Sequence, residues 1–485
     1  MTSSVETPFI YNALAIRANV GEKVGNSEDG RALIDLRTGN PIIEYRESVF
    51  MPYVEVMAFI VDTGNTVPAD DGTQSSIGLL DAEIAQGTEE VFFSIEDQKG
   101  TRIDLPNLRL ATISNMKQSF QNQTYTLTAV SKEAFDNTLL ENRCRSKYSG
   151  KISDIAKAII KTNLKSNKRI DVGKGTINEY HEWGDNKYPF ELLLDIQKLS
   201  IPNIQVSDGK TAKGRTAGYL FWETSLGYNF KSLDELFDTS GKRIKRFIEN
   251  KKSDDNVPAS YDAKIQWSCV DRSTDALAQF ESGAWGSKIG TFDEVKGESK
   301  ETELVAGENT VMAGKQLPKL AKDFIGKLTG IKFTTTATGQ TVKGRDDVEE
   351  QVKKTDQPKY VVEEIFQQAH QNYRQKMNMS VEIIISADLD LHAGDLVYCE
   401  FEELSNKETT IGSKNRDSGF YMIADLCHYG SKTNSFTALH LVRDSYGVKT
   451  VEVSEDAQAL VDESGYTLAD ATIIAGGGFV ETVIE

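Results

Sequence analysis

The chain of 485 residues holds four cysteines, ten prolines and five histidines, and no apolar run in it approaches the ~18 residues of a membrane-spanning helix. Cys144, Cys269, Cys399 and Cys427 stand far apart with no C-x-x-C pair. That spacing excludes a disulfide scaffold and a zinc ribbon, and points to four reduced, mostly buried thiols made in a cytosol. The first 18 residues carry no basic stretch ahead of an apolar core, so no secretory signal is expected. Basic residues are also short, 55 Lys and Arg against 73 Asp and Glu, for a net charge of −18. A protein that grips duplex nucleic acid needs the opposite excess, although nucleic acid could still pass an acidic surface without sticking. The deficit is uneven. Thr450–Glu485 holds eight acids and no Lys or Arg, which leaves −10 for the first 449 residues.

Catalytic patterns are missing too. Gly209-Lys210-Thr211 lacks the glycine that a phosphate loop needs at Ile204. No G-x-S-x-G elbow occurs. His181-Glu182-Trp183 opens like a zincin helix, but no histidine follows four residues after His181. Cys427, His428 and His440 could supply zinc ligands, although neighbours on one strand point to opposite faces. With so many acids, a carboxylate pair at glycosidase separation arises by chance, so sequence alone promotes none to acid and nucleophile. Neither a catalytic residue, a cofactor site nor a metal site is expected.

What the chain does have is ordinary globular content, 39% hydrophobic and 26% charged, with length for roughly three domains at ~150 residues each. Val54, Val56 and Ala58 alternate with Glu55 and Met57, and Val91, Phe93 and Ile95 alternate, as do Tyr125, Leu127 and Ala129, so a small β-barrel or sandwich is expected over Phe9–Ser131. The period then changes. Ile152, Ile155, Ala156, Ile159 and Ile160 form one helical stripe. A second helix is expected from Pro189, burying Phe190, Leu193, Leu194 and Ile196. Gly218–Thr224 and Tyr228–Lys231 read as a hairpin turning at Ser225-Leu226-Gly227. Strands follow at Ala259–Cys269, Ser380–Ile385, Asp395–Phe401, Gly419–Ala424 and Ser435–Val442, with a helix of about five turns over Tyr360–Met377. Residues 296–358, rich in Lys, Glu, Gly and Thr, read as a long solvated insertion.

The rings of Phe221, Trp222, Tyr228 and Phe230 could stack on bases or sugars, or could fill the cleft between hairpin and helices. Few basic residues interleave them, which favours packing. The helix over Tyr360–Met377 likewise reads as a packed brace. The acidic end could be a solvated tail. Alternatively its patches Tyr466–Leu468 and Ile473–Ala475, with Gly476-Gly477-Gly478 as a joint, could order against a partner.

In block order these segments resemble the central baseplate hub of contractile (myovirus-type) phage tails, a family related to the spike-base protein of type VI secretion systems. The carrying residues are Phe221-Trp222-Glu223-Thr224 with Gly227-Tyr228-Asn229-Phe230-Lys231-Ser232-Leu233, then Gly283-Ala284-Trp285-Gly286 with Phe292-Asp293, then Ala393-Gly394-Asp395-Leu396-Val397, and finally Leu441–Tyr446. The family's structural signature would thus fall on Phe221, Trp222, Glu223, Thr224, Gly227, Tyr228, Phe230, Gly283, Trp285, Gly286, Asp293, Gly394 and Asp395.

The resemblance implies an α+β, mainly β fold. Two similar β-barrel (tube-type) domains, residues 1–140 and 256–448, would flank a small α+β domain at 141–255. The second barrel region would carry the insertion 296–358 and the helix 359–377, and residues 449–485 would be an acidic tail. It further implies a homotrimer that adapts a sixfold tail tube to a threefold central spike within the virion's baseplate. Its partners would be the tail tube protein, the spike protein and wedge proteins, and DNA would pass through without specific binding. The departures from the family's pattern are the long insertion and the acidic tail. A tail-associated peptidoglycan hydrolase and a type VI spike base are the alternative expectations.

Overall fold

The computed structural model describes residues 8–19, 33–39, 41–204 (except 65–66, 69–75 and 83), 216–249 (except 241 and 243), 263–271, 276–293 (except 282, 284 and 285), 298–305, 324, 327–336, 362–401 (except 376 and 378) and 417–443. The Gly209-Lys210-Thr211 stretch, Trp285, residues 444–446 of the last resemblance block and the acidic tail lie outside the described residues.

The first part of the chain is a sheet. Its strands are β1 (Ile10–Arg17), β2 (Leu33–Asp35), β3 (Ile42–Ser48), β4 (Glu55–Asp62), the two-residue pair β5 (Val67–Pro68) and β6 (Ser76–Ile77), β7 (Glu90–Glu96), β8 (Arg102–Gln118) and β9 (Gln123–Ser131). Seven of them pair in the order β2-β1-β7-β8-β9-β4-β3. Every residue of the three alternating sets named from the sequence is buried, and together they form the centre of one core with Leu14, Ile16, Tyr45 and Leu110. Period-two alternation does this because successive side chains leave opposite faces of a strand. The hairpin of β8 and β9 runs past that core, and Phe120 at its tip is wholly exposed.

The middle part is α+β. The helix α1 (Lys132–Thr138) leads to β10 (Lys147–Lys151), which pairs with β12 (Glu179–Trp183). Helix α2 (Ile152–Ala158) continues into a π-helical turn, Ile159–Asn163, and all five residues of the expected stripe are buried. Helix α3 (Pro189–Leu199) starts at the expected proline. Leu192 rather than Leu194 completes its buried face, because α3 packs on several neighbours at once and its apolar stripe is broad. β13 (Tyr219–Thr224) and β14 (Gly227–Ser232) form the hairpin, with the short β11 (Ile170–Asp171) parallel to β14. Helix α4 (Leu233–Phe237) follows, and the Ser232 hydroxyl accepts the Glu235 N–H at 3.1 Å as its N-cap.

The last part contains β15 (Lys245–Glu249), β16 (Lys264–Asp271), α5 (Ala276–Glu281), β17 (Gly286–Asp293), β18 (Glu298–Val305), β19 (Gly330–Thr336), α6 (Val362–Gln375), β20 (Met379–Ser386), β21 (Leu396–Glu400), β22 (Gly419–Gly430) and β23 (Ser435–Arg443). Strands β22-β21-β15-β16-β20-β23 close into a six-stranded barrel through the β22–β23 pairing. Its core is built on Val381, Ile383, Val397, Tyr421, Ile423 and Leu441. The class is therefore α+β, mainly β.

Part of the expected solvated insertion differs from expectation. Residues 298–305 and 330–336 are strands that flank β17, antiparallel and parallel respectively. Their sequences are rich in Lys, Glu and Thr, so hydrophobicity did not mark them. The thiols also differ from expectation: Cys144 and Cys399 are buried, Cys427 is half-buried and Cys269 is exposed.

The first sheet and the barrel are one continuous structure. β3 pairs antiparallel with β22, from Ile43–Gly430 to Ser48–Asp425, giving thirteen strands in sequence of pairing. Asp388 strengthens this junction by accepting from Lys245 at 2.8 Å and lying 3.3 Å from Lys99.

Candidate functional site

The β13–β14 hairpin is the slab between the helices and the barrel. All six residues of β13 are buried. Alternation sends Tyr219 and Phe221 to one face, with Tyr228 and Phe230 across the register. There they pack on Ile155, Ile159, Phe190 and Leu193. The Phe221 and Tyr228 rings stack at 5.5 Å, and Tyr219 and Phe230 meet at 4.9 Å. Leu220 and Trp222 leave the other face and pack with Val49, just past the end of β3, and with Ala393, Leu396, Met422 and Val442 of the barrel region. The aromatic cluster is thus interior, which settles the packing reading over a base-stacking platform. Helix α6 braces the strand's approach: Asn372 Nδ2 donates to Ala217 O at 2.6 Å, and the Tyr373 hydroxyl donates to Tyr219 O.

Two distant segments meet at Trp222. Its Nε1–H donates to Ala393 O at 2.9 Å. Gly394, at φ +92°, lies flat against the indole, where a Cβ would fall 2.5 Å from Trp222 Cζ2. Gly227 is fixed in the same way. Its φ is +124°, and a Cβ there would fall 2.3 Å from Arg169 O, against which the hairpin's turn is seated.

One carboxylate ties three parts of the molecule together. Glu47, on β3, is 1% exposed. Its Oε1 accepts from the Tyr45 hydroxyl at 2.6 Å, Ser225 N at 2.9 Å and His392 Nδ1 at 3.2 Å, and its Oε2 accepts from Ala393 N at 2.9 Å. Burial alone would raise its pKa. The hydrogen bonds and the charge of His392 outweigh burial and hold it below the usual carboxylate range. For His392, burial acts downward, Glu47 acts upward, and the net shift is upward.

A second buried cluster lies beside it. Lys168 Nζ donates to Glu223 Oε1 at 2.6 Å and to Glu133 Oε2 at 2.5 Å, and the Ser166 hydroxyl donates to Glu133 at 2.6 Å. Burial pushes Glu223 up to about 7 against the pull of Lys168. Glu223 Oε2 and the Tyr228 hydroxyl, on cross-strand partners, are both buried and face one another. Glu133 and Glu223 therefore face inward around a lysine and do not present a carboxylate pair to a saccharide.

A cavity of about 230 Å³ opens at the seam, lined by Trp222, Gly227, Tyr228, Lys231, Gly394 and Asp395 among others. The expected hairpin and turn residues Phe221, Trp222, Glu223, Thr224, Gly227, Tyr228, Phe230, Gly394 and Asp395 are thus brought together. Gly283, at φ +74°, closes α5, while Gly286 opens β17 and Asp293 ends it. Gly286 and Asp293 lie on the three-stranded sheet that packs on α6, apart from the hairpin. The two histidines weighed as zinc ligands engage elsewhere. His428 is buried, bonds Thr437 Oγ1 at 2.9 Å through Nδ1, and is pushed by burial down to about 4; His440 bonds Asp425 at 2.8 Å. Among the described residues no group of three or more His, Cys, Asp or Glu could hold a metal ion, and no helix is long and apolar enough to cross a membrane.

Sequence reasoning missed Glu47, Lys168, Glu133 and His392. Only Glu47 left a signal: it continues the inward series Ile43, Tyr45, Glu47 of β3.

No family model and no curated protein matches the sequence. Among solved structures the chain is similar to the 43 kDa tail protein of prophage MuSo2 from Shewanella oneidensis, at 9% identity over 89% of this chain and 98% of that one, with a TM-score of 0.45. It is similar to a tail protein of Neisseria meningitidis MC58, at 9% identity over 89% and 97% of the two chains, with a TM-score of 0.45. It is also similar to a component of the type VI secretion system of E. coli, at 8% identity over 84% and 74%, with a TM-score of 0.35. These structural neighbours are thus tail proteins of phages or prophages and a type VI secretion component. At these values no residue correspondence follows.

Proposed function

We propose that the chain is a structural protein of a contractile injection machine, the hub of a phage tail baseplate. In this role three copies form a ring between a sixfold tail tube and a threefold central spike, wedge proteins bind around it, and the bore passes DNA without holding it. The observation that carries this is the contact of Trp222 with Ala393 and Gly394. The hairpin and the turn on which the hub resemblance rests are about 170 residues apart, and one hydrogen bond and one glycine-to-indole contact lock them together.

The architecture supports the same role. A β sheet continuous with a closed barrel makes a stiff body, and the α+β unit is keyed into both through Glu47. A net charge of −18 would repel phosphate along a bore and keep DNA moving. The seam's buried carboxylates Glu47, Glu133 and Glu223 are taken up by protein donors, which favours a mechanical role over hydrolysis of peptidoglycan. The test is to co-express the chain with a spike protein encoded beside it and measure the mass of the complex. Three copies per complex are expected; a chain that stays monomeric with the spike present overturns the proposal.

A further inference from the structure

The seam around the hairpin holds more buried negative charge than its permanent cations balance. Glu47, Glu133 and Glu223 are 1%, 7% and 0% exposed. Lys168 bridges two of them, and His392, its side chain 15% exposed, bonds the third. With every carboxylate ionised and His392 neutral, two negative charges remain uncompensated in the interior, which is costly. One proton on His392 and one on Glu223 bring the cluster to neutrality.

We propose that this seam is a proton-loaded latch, shut while His392 is protonated opposite Glu47 and Glu223 is neutral beside Lys168, and loosened when those two protons leave. The latch joins the α+β unit to both sheets, so its loosening frees the hairpin from the barrel turn at Ala393.

The hydrogen bonds assign the protons. Glu47 accepts four donors, which favours its charged form. Glu223 accepts from Lys168 through Oε1, and its Oε2 is buried with the Ser131 and Tyr228 hydroxyls nearby, so a proton there removes a buried charge. The other groups facing Glu223 are Glu133 and Lys168, with Ser131 beside it and Tyr228 across the strand. Those facing His392 are Glu47, Asp395 and Asp390. His428 stands near Glu47 and His392 but is neutral above pH 4 or so.

The signs agree. Glu223 is raised in the folded chain to about 7, so its contribution falls as pH rises from its unfolded value of about 4.3 to about 7. His392 is raised above its ordinary value, so its contribution is full below about 6.5 and is lost as pH rises through the folded value. Both losses run in the same direction.

Hydrogen exchange of the full chain by mass spectrometry, from pH 5 to 8 and corrected for intrinsic exchange, tests this. Opening of Tyr219–Ser232 should rise by about tenfold per pH unit between 5 and 7, while the outer hairpin around Phe120 shows no such slope. Glu223→Gln should abolish the slope below about pH 6.5, and His392→Asn should remove the further rise above 6.5. A flat wild-type profile for Tyr219–Ser232 overturns the proposal even if a variant fails to fold. So does a folded Glu223→Gln protein that keeps the wild-type slope.

Discussion

Gly394→Ala should destabilise the chain by about 2–5 kcal/mol. Two costs combine. The residue sits at φ +92°, where an L side chain costs about 1–2 kcal/mol. The new Cβ would also fall 2.5 Å from Trp222 Cζ2, and forcing atoms into a packed core costs about 1–3 kcal/mol. Trp222 cannot retreat readily, because it is 1% exposed and its Nε1–H is held by Ala393 O. Gly100→Ala separates the two costs: φ is +79° there and nothing lies within 4 Å of the added carbon, so it should lose only the backbone share of about 1–2 kcal/mol. Urea unfolding followed by near-ultraviolet circular dichroism compares the pair. Trp222→Phe then shortens the ring, and in that background Gly394→Ala should cost at least ~1 kcal/mol less than in the wild type, a coupling expected only for residues in contact. If Gly394→Ala costs no more than Gly100→Ala, or if the cycle is additive, the Trp222–Gly394 contact does not lock the hairpin to the barrel.

Glu47→Gln should cost about 3–5 kcal/mol in a urea titration at pH 7, because His392 and three buried donors lose an ionised acceptor. Glu47 titrates below the usual range, so its contribution is present above about pH 4.3 and lost as pH falls through the depressed value; the variant should lose less stability than the wild type over that acid window. Gly227→Ala should cost more than about 2 kcal/mol or prevent folding, since Arg169 O is backbone and cannot swing aside; a melting temperature within 1 °C or so of wild type would contradict this. Phe120→Ser should leave stability within about 0.5 kcal/mol of wild type, because the ring is fully exposed; a larger loss in thermal melts would mean that the hairpin tip packs in the isolated chain.

The elements that alternate or stripe cleanly were legible from the sequence. Val54, Val56 and Ala58, or Ile152, Ile155 and Ile159, each carry their face in their spacing. β22 was legible only to Ala424. Beyond it Asp425, Cys427 and His428 break the apolar pattern, although the strand continues to Gly430 by pairing with β3 and β23. The strands at 298–305 and 330–336 were illegible because parallel and antiparallel partners on either side of β17 define them, and their own composition does not. The hairpin and the 393–395 turn could be singled out, but not their contact. The seam's charges were hidden for a general reason: Glu133, Lys168 and His392 read as solvated residues until distant chain segments bury them together.

The central claim is that the chain builds a ring. Electron images of the purified particle, formed with its spike partner, should class into a threefold ring with an axial hole. Compact particles with neither threefold symmetry nor a hole would contradict it.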